Sequence, residues 1–247
     1  MSRLAVIGGS GFATMPGLEV LDYQQPDTPY GPASAPVIRG LLGGAELFFL
    51  PRHGTGHSIP PHRIDYRANL WTLKACGAER VVGLAAVGGI GGAFGPRVLA
   101  VPDQIIDYTY GRAHSFSGGD RGEVPHIDFT RPYCEDLRQA LLGAARDCEL
   151  AVEDGGTYGA TQGPRLETAA EIMRLERDGC DLVGMTGMPE AALARELGLC
   201  YACFAFVVNW AAGKASEEIR MDAIEANITA CSARIERILT ALVPHFT

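Results

Sequence analysis

Gly8-Gly9-Ser10-Gly11 stands directly after an apolar run at residues 4–7. Glycines let a backbone turn sharply and bring its amides up to an anion, and the Ser10 hydroxyl adds a donor. The same residues also make an ordinary tight turn after a strand. Thr14 stands where a dinucleotide fingerprint needs its third glycine, and no lysine stands where a P-loop needs one, so a nucleotide cofactor is disfavoured. Pro51-Arg52-His53-Gly54-Thr55-Gly56-His57 closes a second apolar run with three cations or potential cations in seven residues. A guanidinium at a strand's end can grip phosphate through two parallel hydrogen bonds; a surface ion pair is the alternative. Ala85-Ala86-Val87-Gly88-Gly89 ends a third run, where backbone amides line a ligand or the chain simply reverses.

Two other stretches carry groups able to read a polar ring. Gly163-Pro164-Arg165-Leu166-Glu167-Thr168 places Glu167 just before a helix cap, outside any regular turn, although a loop glutamate is usually solvated. Asn209 follows the very apolar Phe204-Ala205-Phe206-Val207-Val208, so its amide must find partners in a ligand or in its own backbone.

Short apolar runs alternate with amphipathic segments, the pattern of an α/β sheet covered by helices. It predicts strands at 4–7, 46–50, 80–86, 104–108, 156–160, 182–185 and 200–208. Helices are expected at 67–75, 132–148, 169–177, 189–197 and 222–243. Thr168 and Glu171 form a capping box that starts one helix. Pro189, after Met185-Thr186-Gly187-Met188, suits the first position of another. Ile224, Ile228, Cys231, Ile235, Ile238 and Leu242 make one apolar face for the core. Residues 110–125 are polar and read as a long loop. Open α/β sheets bind ligands at the carboxyl ends of their strands, which is where Ser10, Arg52, Ala86 and Asn209 fall.

The 247 residues suit one domain, 1–247, and 47% hydrophobic against 20% charged is an ordinary globular balance. A formal charge of −8 argues against nonspecific nucleic-acid binding but not against a small anion. The sequence shows no secretory h-region and no membrane-length apolar stretch, so a cytoplasmic chain with no membrane partner is expected. The seven cysteines are odd in number and scattered through apolar segments, which fits a reducing compartment. Cys200 and Cys203 form a CxxC, but no second pair or clustered histidines complete a zinc site, so buried thiols and no metal are expected.

Taken in order, IGGSGF (residues 7–12), RHG-x-x-H (52–57), Y-x-AN-x-W (66–71), GPRLET (163–168) and MTGMPEAALARE (185–196) resemble the trimeric branch of the purine nucleoside phosphorylase family. Within that branch they are most similar to the methylthioadenosine and methylthioinosine phosphorylases. The resemblance runs over residues 7–222. It implies a single nucleoside phosphorylase-like domain with a mixed central sheet flanked by helices, and a homotrimer. It also implies cleavage of a purine nucleoside with inorganic phosphate as co-substrate and no cofactor. Ser10, Arg52, His53, the Ala86 region and Thr186 would hold phosphate, and Met185 would pack on the ribose. His126, in PHIDFTRPYC, matches a residue that reaches the neighbouring subunit's site. Leu166 replaces the family's usual aromatic beside the base. Ala85 stands where methylthioadenosine phosphorylases tend to carry threonine.

Adenine-specific members resembling this chain carry D-x-D where it has Asn209-Trp210-Ala211, and a small residue where it has Glu167. Asn209 with Glu167 resembles the 6-oxopurine phosphorylases, and they are the expected catalytic pair. Hypoxanthine offers N1–H to a carboxylate and O6 to an amide, whereas adenine N1 is an acceptor and would face Glu167 lone pair to lone pair. A buried mismatch of that kind costs about 1–3 kcal/mol. At the sugar, members that take ordinary nucleosides use a histidine for the 5′-hydroxyl, where Met221 aligns here; a thioether suits a methylthio group better. The implied substrate is S-methyl-5′-thioinosine, with methylthioadenosine phosphorylase or inosine/guanosine phosphorylase as alternatives.

Overall fold

The structure is a computed structural model that describes residues 3–117 and 126–246. Residues 118–125 of the expected loop lie outside the described residues. The elements run β1 (Leu4–Gly8), β2 (Glu19–Gln24), β3 (Val37–Leu42), β4 (Ala45–Pro51), α1 (Tyr66–Ala75), β5 (Arg80–Gly89), β6 (Leu99–Val101) and β7 (Gln104–Asp107). The second half runs α2 (Glu135–Asp147), β8 (Glu153–Asp154), β9 (Thr157–Ala160), α3 (Ala169–Arg177), β10 (Leu182–Gly184), α4 (Gly187–Glu196), β11 (Cys200–Trp210) and α5 (Met221–Leu242).

Strand β1 is buried along its whole length because both faces of the sheet are covered. Ala5 and Ile7 pack with Leu70 and Leu73 of α1 and Ala191 and Leu193 of α4. Leu4 and Val6, pointing the other way, pack with Leu137 and Leu141 of α2 and Ile235 and Ile238 of α5. The sheet is mixed, in the order β2-β3-β4-β1-β5-β10-β9-β7, with β11 and then β6 on the other edge of β5. Strands β4, β1, β5 and β11 run parallel, and β10 runs against β5.

The helix signals of the sequence appear where expected. Thr168 accepts from the Glu171 backbone at 3.1 Å while the Glu171 carboxylate accepts from the Thr168 backbone at 2.7 Å, which closes the capping box and starts α3 at Ala169. In α4 the non-helical Met188 (φ −121°, ψ 140°) puts the regular turns at Pro189 and beyond. The hairpin β2–β3 and the short β6 and β8 were not expected. β2 is mostly exposed, so it carries no apolar alternation to betray it.

The cysteines require a correction. Cys134 and Cys200 are joined in a disulfide, so Cys200 is not a free buried thiol, and the reading of all seven cysteines as reduced fails for this pair. The Cys134 backbone N–H donates to the Tyr201 carbonyl at 2.8 Å, which holds the start of α2 against the start of β11 and brings the two Cα atoms to 5.2 Å. Cys203 is a buried free thiol, as expected.

Candidate active site

One edge of β5 is shared by two strands that approach from opposite ends. β1 runs parallel to β5 and pairs with it from Leu4↔Arg80 to Ile7↔Gly83. β10 runs antiparallel and pairs only at Gly88 and Gly89. Residues 84–87 therefore have β11 on one side and no strand on the other. The chain leaving β1 carries Gly9 and Ser10; the chain leaving β10 carries Met185 and Thr186. Because the two strands point at each other, both turns arrive over this uncovered stretch. Ala86 is its half-buried residue, between neighbours that are buried. Gly9 is demanded there, since a Cβ would stand 2.8 Å from the Leu84 carbonyl oxygen and 3.0 Å from Arg52 Nη1.

Arg52 does not present a free fork to this crevice. It is 1% exposed, and its two parallel hydrogen bonds go to Glu190 of α4, Nε to Oε2 at 2.6 Å and Nη2 to Oε1 at 2.8 Å. Nη1 donates to the Leu84 carbonyl at 2.8 Å, an oxygen left open by the gap between β1 and β10. Three of its donors are thus committed, leaving one N–H on each terminal nitrogen, with Nη1 the one beside Gly9. Burial opposes the Arg52 charge, but the Glu190 carboxylate outweighs it and holds the pKa above the ordinary arginine value. Tyr201 of β11 completes the cluster, donating to Glu190 Oε1 at 2.8 Å.

His53, unlike Arg52, is not a cation. Burial, then the charge of Arg52, lowers its pKa to about 4. Nδ1 lies 2.9 Å from the Ile59 carbonyl, which can only accept, so Nδ1 carries the proton and Nε2 is an acceptor. The expected cluster of positive charges is therefore a neutral histidine and a paired arginine. What remains to meet an anion is mostly neutral: the hydroxyls of Ser10 and Thr186 and backbone N–H groups. Those of Ser10 and His53 have no partner among the described residues.

Of the base-side residues, Glu167 sits in the loop between β9 and α3 and Asn209 near the end of β11. The Glu167 carboxylate accepts from the Thr161 hydroxyl at 2.6 Å, just beyond β9. Asn209 lies opposite Gly88 on the other edge of β5, after a bulge in β11, and one amide hydrogen goes to the Trp210 carbonyl at 2.7 Å. The chain beyond Asn209 meets the loop of Glu167, for Gly213 packs directly on Ala169 at the start of α3. Met185 joins the halves: its Sδ would be 2.4 Å from a Cβ at Gly163, where φ is +61°. Glu167 and Thr161 also line a cavity of about 400 Å³ with Tyr108, Tyr110, Arg165 and Arg174. Ser10, Arg52, Thr186 and Asn209 do not line it. The grouping of cradle and base reader rests on strand register and loop contacts, not on that cavity.

Three expected residues are not gathered in. Leu166 is 43% exposed and Met221, first residue of α5, is 63% exposed, so neither closes over a ligand within this chain. His126 is exposed. Conversely, Glu190, Thr161 and Arg112 join the site without any residue spacing that marks them in the sequence. Glu190 had one available signal, a carboxylate within the apolar run Pro189–Ala194 that no water could serve if that helix were buried. Among the described residues, no group of three or more His, Cys, Asp or Glu could hold a metal ion.

The sequence matches the phosphorylase superfamily over residues 3–244. It is 52% identical over 240 residues to a probable S-methyl-5′-thioinosine phosphorylase of Xanthomonas campestris, covering 97% of this chain and 96% of that one. It is 43% identical over 249 residues to the 6-oxopurine nucleoside phosphorylase of Pyrococcus furiosus, covering 99% and 93%. Among solved structures, methylthioadenosine phosphorylase from Schistosoma mansoni in complex with adenine superposes with a TM-score of 0.94 at 30% identity, covering 99% of this chain and 92% of that one.

Two outcomes follow from the buried cluster. Glu190→Ala strands a buried guanidinium and should lower the unfolding free energy by about 3–5 kcal/mol; a loss below about 1 kcal/mol in denaturant titrations contradicts the pairing. His53 gives a pH signature. The unfolded chain takes up this proton near pH 6.5, the folded protein only near 4. Stability from His53 is complete above about pH 6.5 and is lost as pH falls toward 4, about 3 kcal/mol in all. His53→Asn should flatten that part of the acid limb, and an unchanged limb argues against a neutral histidine.

Proposed function

The chain belongs to the phosphorylase superfamily, and from that premise we propose that it is a phosphate-dependent purine nucleoside phosphorylase, a pentosyltransferase, acting on S-methyl-5′-thioinosine. The products are hypoxanthine and S-methyl-5-thioribose 1-phosphate. The observation that carries the base assignment is the pair Glu167, in the loop before α3, and Asn209, near the end of β11, where the chain beyond Asn209 packs on the start of α3. Glu167 accepts the N1–H that a 6-oxopurine offers and adenine lacks. Asn209 has a spare amide hydrogen for O6 or N7, where negative charge gathers as the glycosidic bond breaks. The relatives named for methylthioinosine support the same choice.

Phosphate sits over Ala86 between the turns of Ser10 and Thr186. The backbone of His53 and the two spare N–H groups of Arg52 border it. One phosphate oxygen forms a bond to C1′ as the C1′–N9 bond breaks. The electron pair of that bond passes to the purine, which leaves as an anion and takes a proton from water. The sugar carries positive charge at the midpoint, and the phosphate steadies it while being its nucleophile. Holding both partners in one crevice turns a collision into a local step. Met185, packed against Gly163, forms the floor under the ribose. Neutral His53 accepts a hydrogen bond from a protonated phosphate oxygen.

We place the enzyme in a homotrimer, in the cytoplasm, in purine salvage. The trimer gives the exposed His126 a task in the neighbouring subunit's site and gives Met221 a cover beside the 5′-methylthio group. No helix among the described residues is long and apolar enough to cross a membrane. The reaction needs phosphate as co-substrate and no other cofactor.

The test is release of free base from S-methyl-5′-thioinosine, methylthioadenosine and inosine, each with and without phosphate. Hypoxanthine release should require phosphate and exceed adenine release by about 5- to 150-fold, the ratio that a mismatch of about 1–3 kcal/mol produces. Asn209→Asp should narrow that preference. Equal turnover of both purines, or release without phosphate, overturns the assignment. Inosine as the better 6-oxopurine substrate would move the reading to an ordinary 5′-hydroxyl.

A further inference from the structure

We infer that Arg112 is the positioning residue that fixes the base-reading loop against the phosphate and ribose turn, by bonding to the backbone of both at once. β9 and β10 lie side by side up to Ala160 and Gly184. Beyond those residues the two chains splay, one into the loop that carries Glu167, the other into the turn of Met185 and Thr186. Carbonyls at such a splay lose their strand partners and need others.

The Arg112 guanidinium lies in that gap. Nη2 donates to the carbonyls of Gln162 at 2.8 Å and Thr161 at 3.2 Å, and Nε to the Gln162 side-chain oxygen at 3.1 Å. Nη1 donates to the carbonyls of Met185 at 2.9 Å and Met188 at 2.6 Å. The Tyr66 hydroxyl is 3.3 Å from Nη1, and the Tyr66 ring lies 5.5 Å from the guanidinium carbon. Nη2 and Nε thus hold one loop and Nη1 the other. The residues bonded are those that matter: Thr161 aims Glu167 through its hydroxyl, and Met185 precedes Thr186. No carboxylate is among these partners, so the contact is a directional brace between backbones and not an ion pair. A lysine ammonium has three donors and no plane, and cannot span both loops in this way.

Arg112 touches no reacting atom on this account; it sets the spacing between the groups that do. Loss of the brace lets base and phosphate sites drift independently, so both substrates suffer together. The inference rests on the proposed phosphorolysis. The experiment is steady-state kinetics of the full chain and its Arg112→Ala and Arg112→Lys variants. KM is read separately for nucleoside and phosphate, beside the melting temperature. Arg112→Ala should raise both KM values and lower kcat/KM by about 100-fold, the scale of an ångström of misplacement. Arg112→Lys should recover little of that, and guanidinium ion added to Arg112→Ala should restore part of it where equal sodium chloride does not. A variant that melts lower but keeps both KM values within about twofold overturns the inference, as does full rescue by lysine. Should Arg112→Ala not fold, Arg112→Gln, which keeps one donor group for one loop, is read by the same criteria. A wild-type chain inactive on every purine nucleoside defeats the functional reading instead, and so the two failures are distinct.

Discussion

Strand β5 is ten residues long, and neither neighbour on its inner edge covers more than part of it. β1 comes up from one end and β10 down from the other, and the four residues between their tips are left without a strand. The architecture of the candidate site follows from that gap. Two turns converge on it because the strands that lead to them point at each other. An unpaired backbone edge in a protein interior must be answered, and here Arg52 answers the Leu84 carbonyl. Its own charge is answered in turn by Glu190, and Glu190 by Tyr201. That chain of contacts ties β4, β5, α4 and β11 together directly beneath the crevice.

The consequence is electrostatic. A cradle of free cations would hold phosphate tightly and keep holding it. Here the arginine is spoken for and the histidine is neutral, so under the proposed phosphorolysis the anion would be met by amides, hydroxyls and two leftover guanidinium hydrogens. Such donors cost no reorganisation and leave the phosphate much of its own negative charge. That charge is useful only when the sugar turns cationic, which places the stabilisation in the transition state instead of the ground state. Under the same proposal Asn209 would follow this logic at the other end of the glycosidic bond, as a neutral amide where electron density arrives.

Local signals in the sequence were good guides where the cause is local. The capping box at Thr168 and the proline at 189 mark helix starts because a few adjacent residues decide them. The apolar runs of β1, β5 and β11 were visible because both sheet faces are covered. The hairpin of β2 and β3 was not, because an exposed edge strand such as Glu19–Gln24 needs no alternation. The positions of Ser10, Arg52 and Asn209 at strand ends and of Glu167 just before a helix cap were also legible, but the partners of Arg52 were not. A bidentate bond across 138 positions in the chain leaves no trace in spacing. Arg112 was hidden for the same reason: in sequence it is one charge in a polar loop, and its meaning lies in carbonyls that only the fold gathers. The disulfide between Cys134 and Cys200 was missed because counting thiols says nothing of which two the sheet will bring together.

The central claim is that the anion cradle and the purine reader open onto one crevice above Ala86. It is tested most directly by a crystal structure of the protein grown with phosphate and hypoxanthine together. The account predicts phosphate between the Ser10 and Thr186 turns, and hypoxanthine between Glu167 and Asn209, with open space between them sized for one ribose. Hypoxanthine bound instead in the cavity beside Tyr108 and Arg174, out of reach of the phosphate, would contradict it.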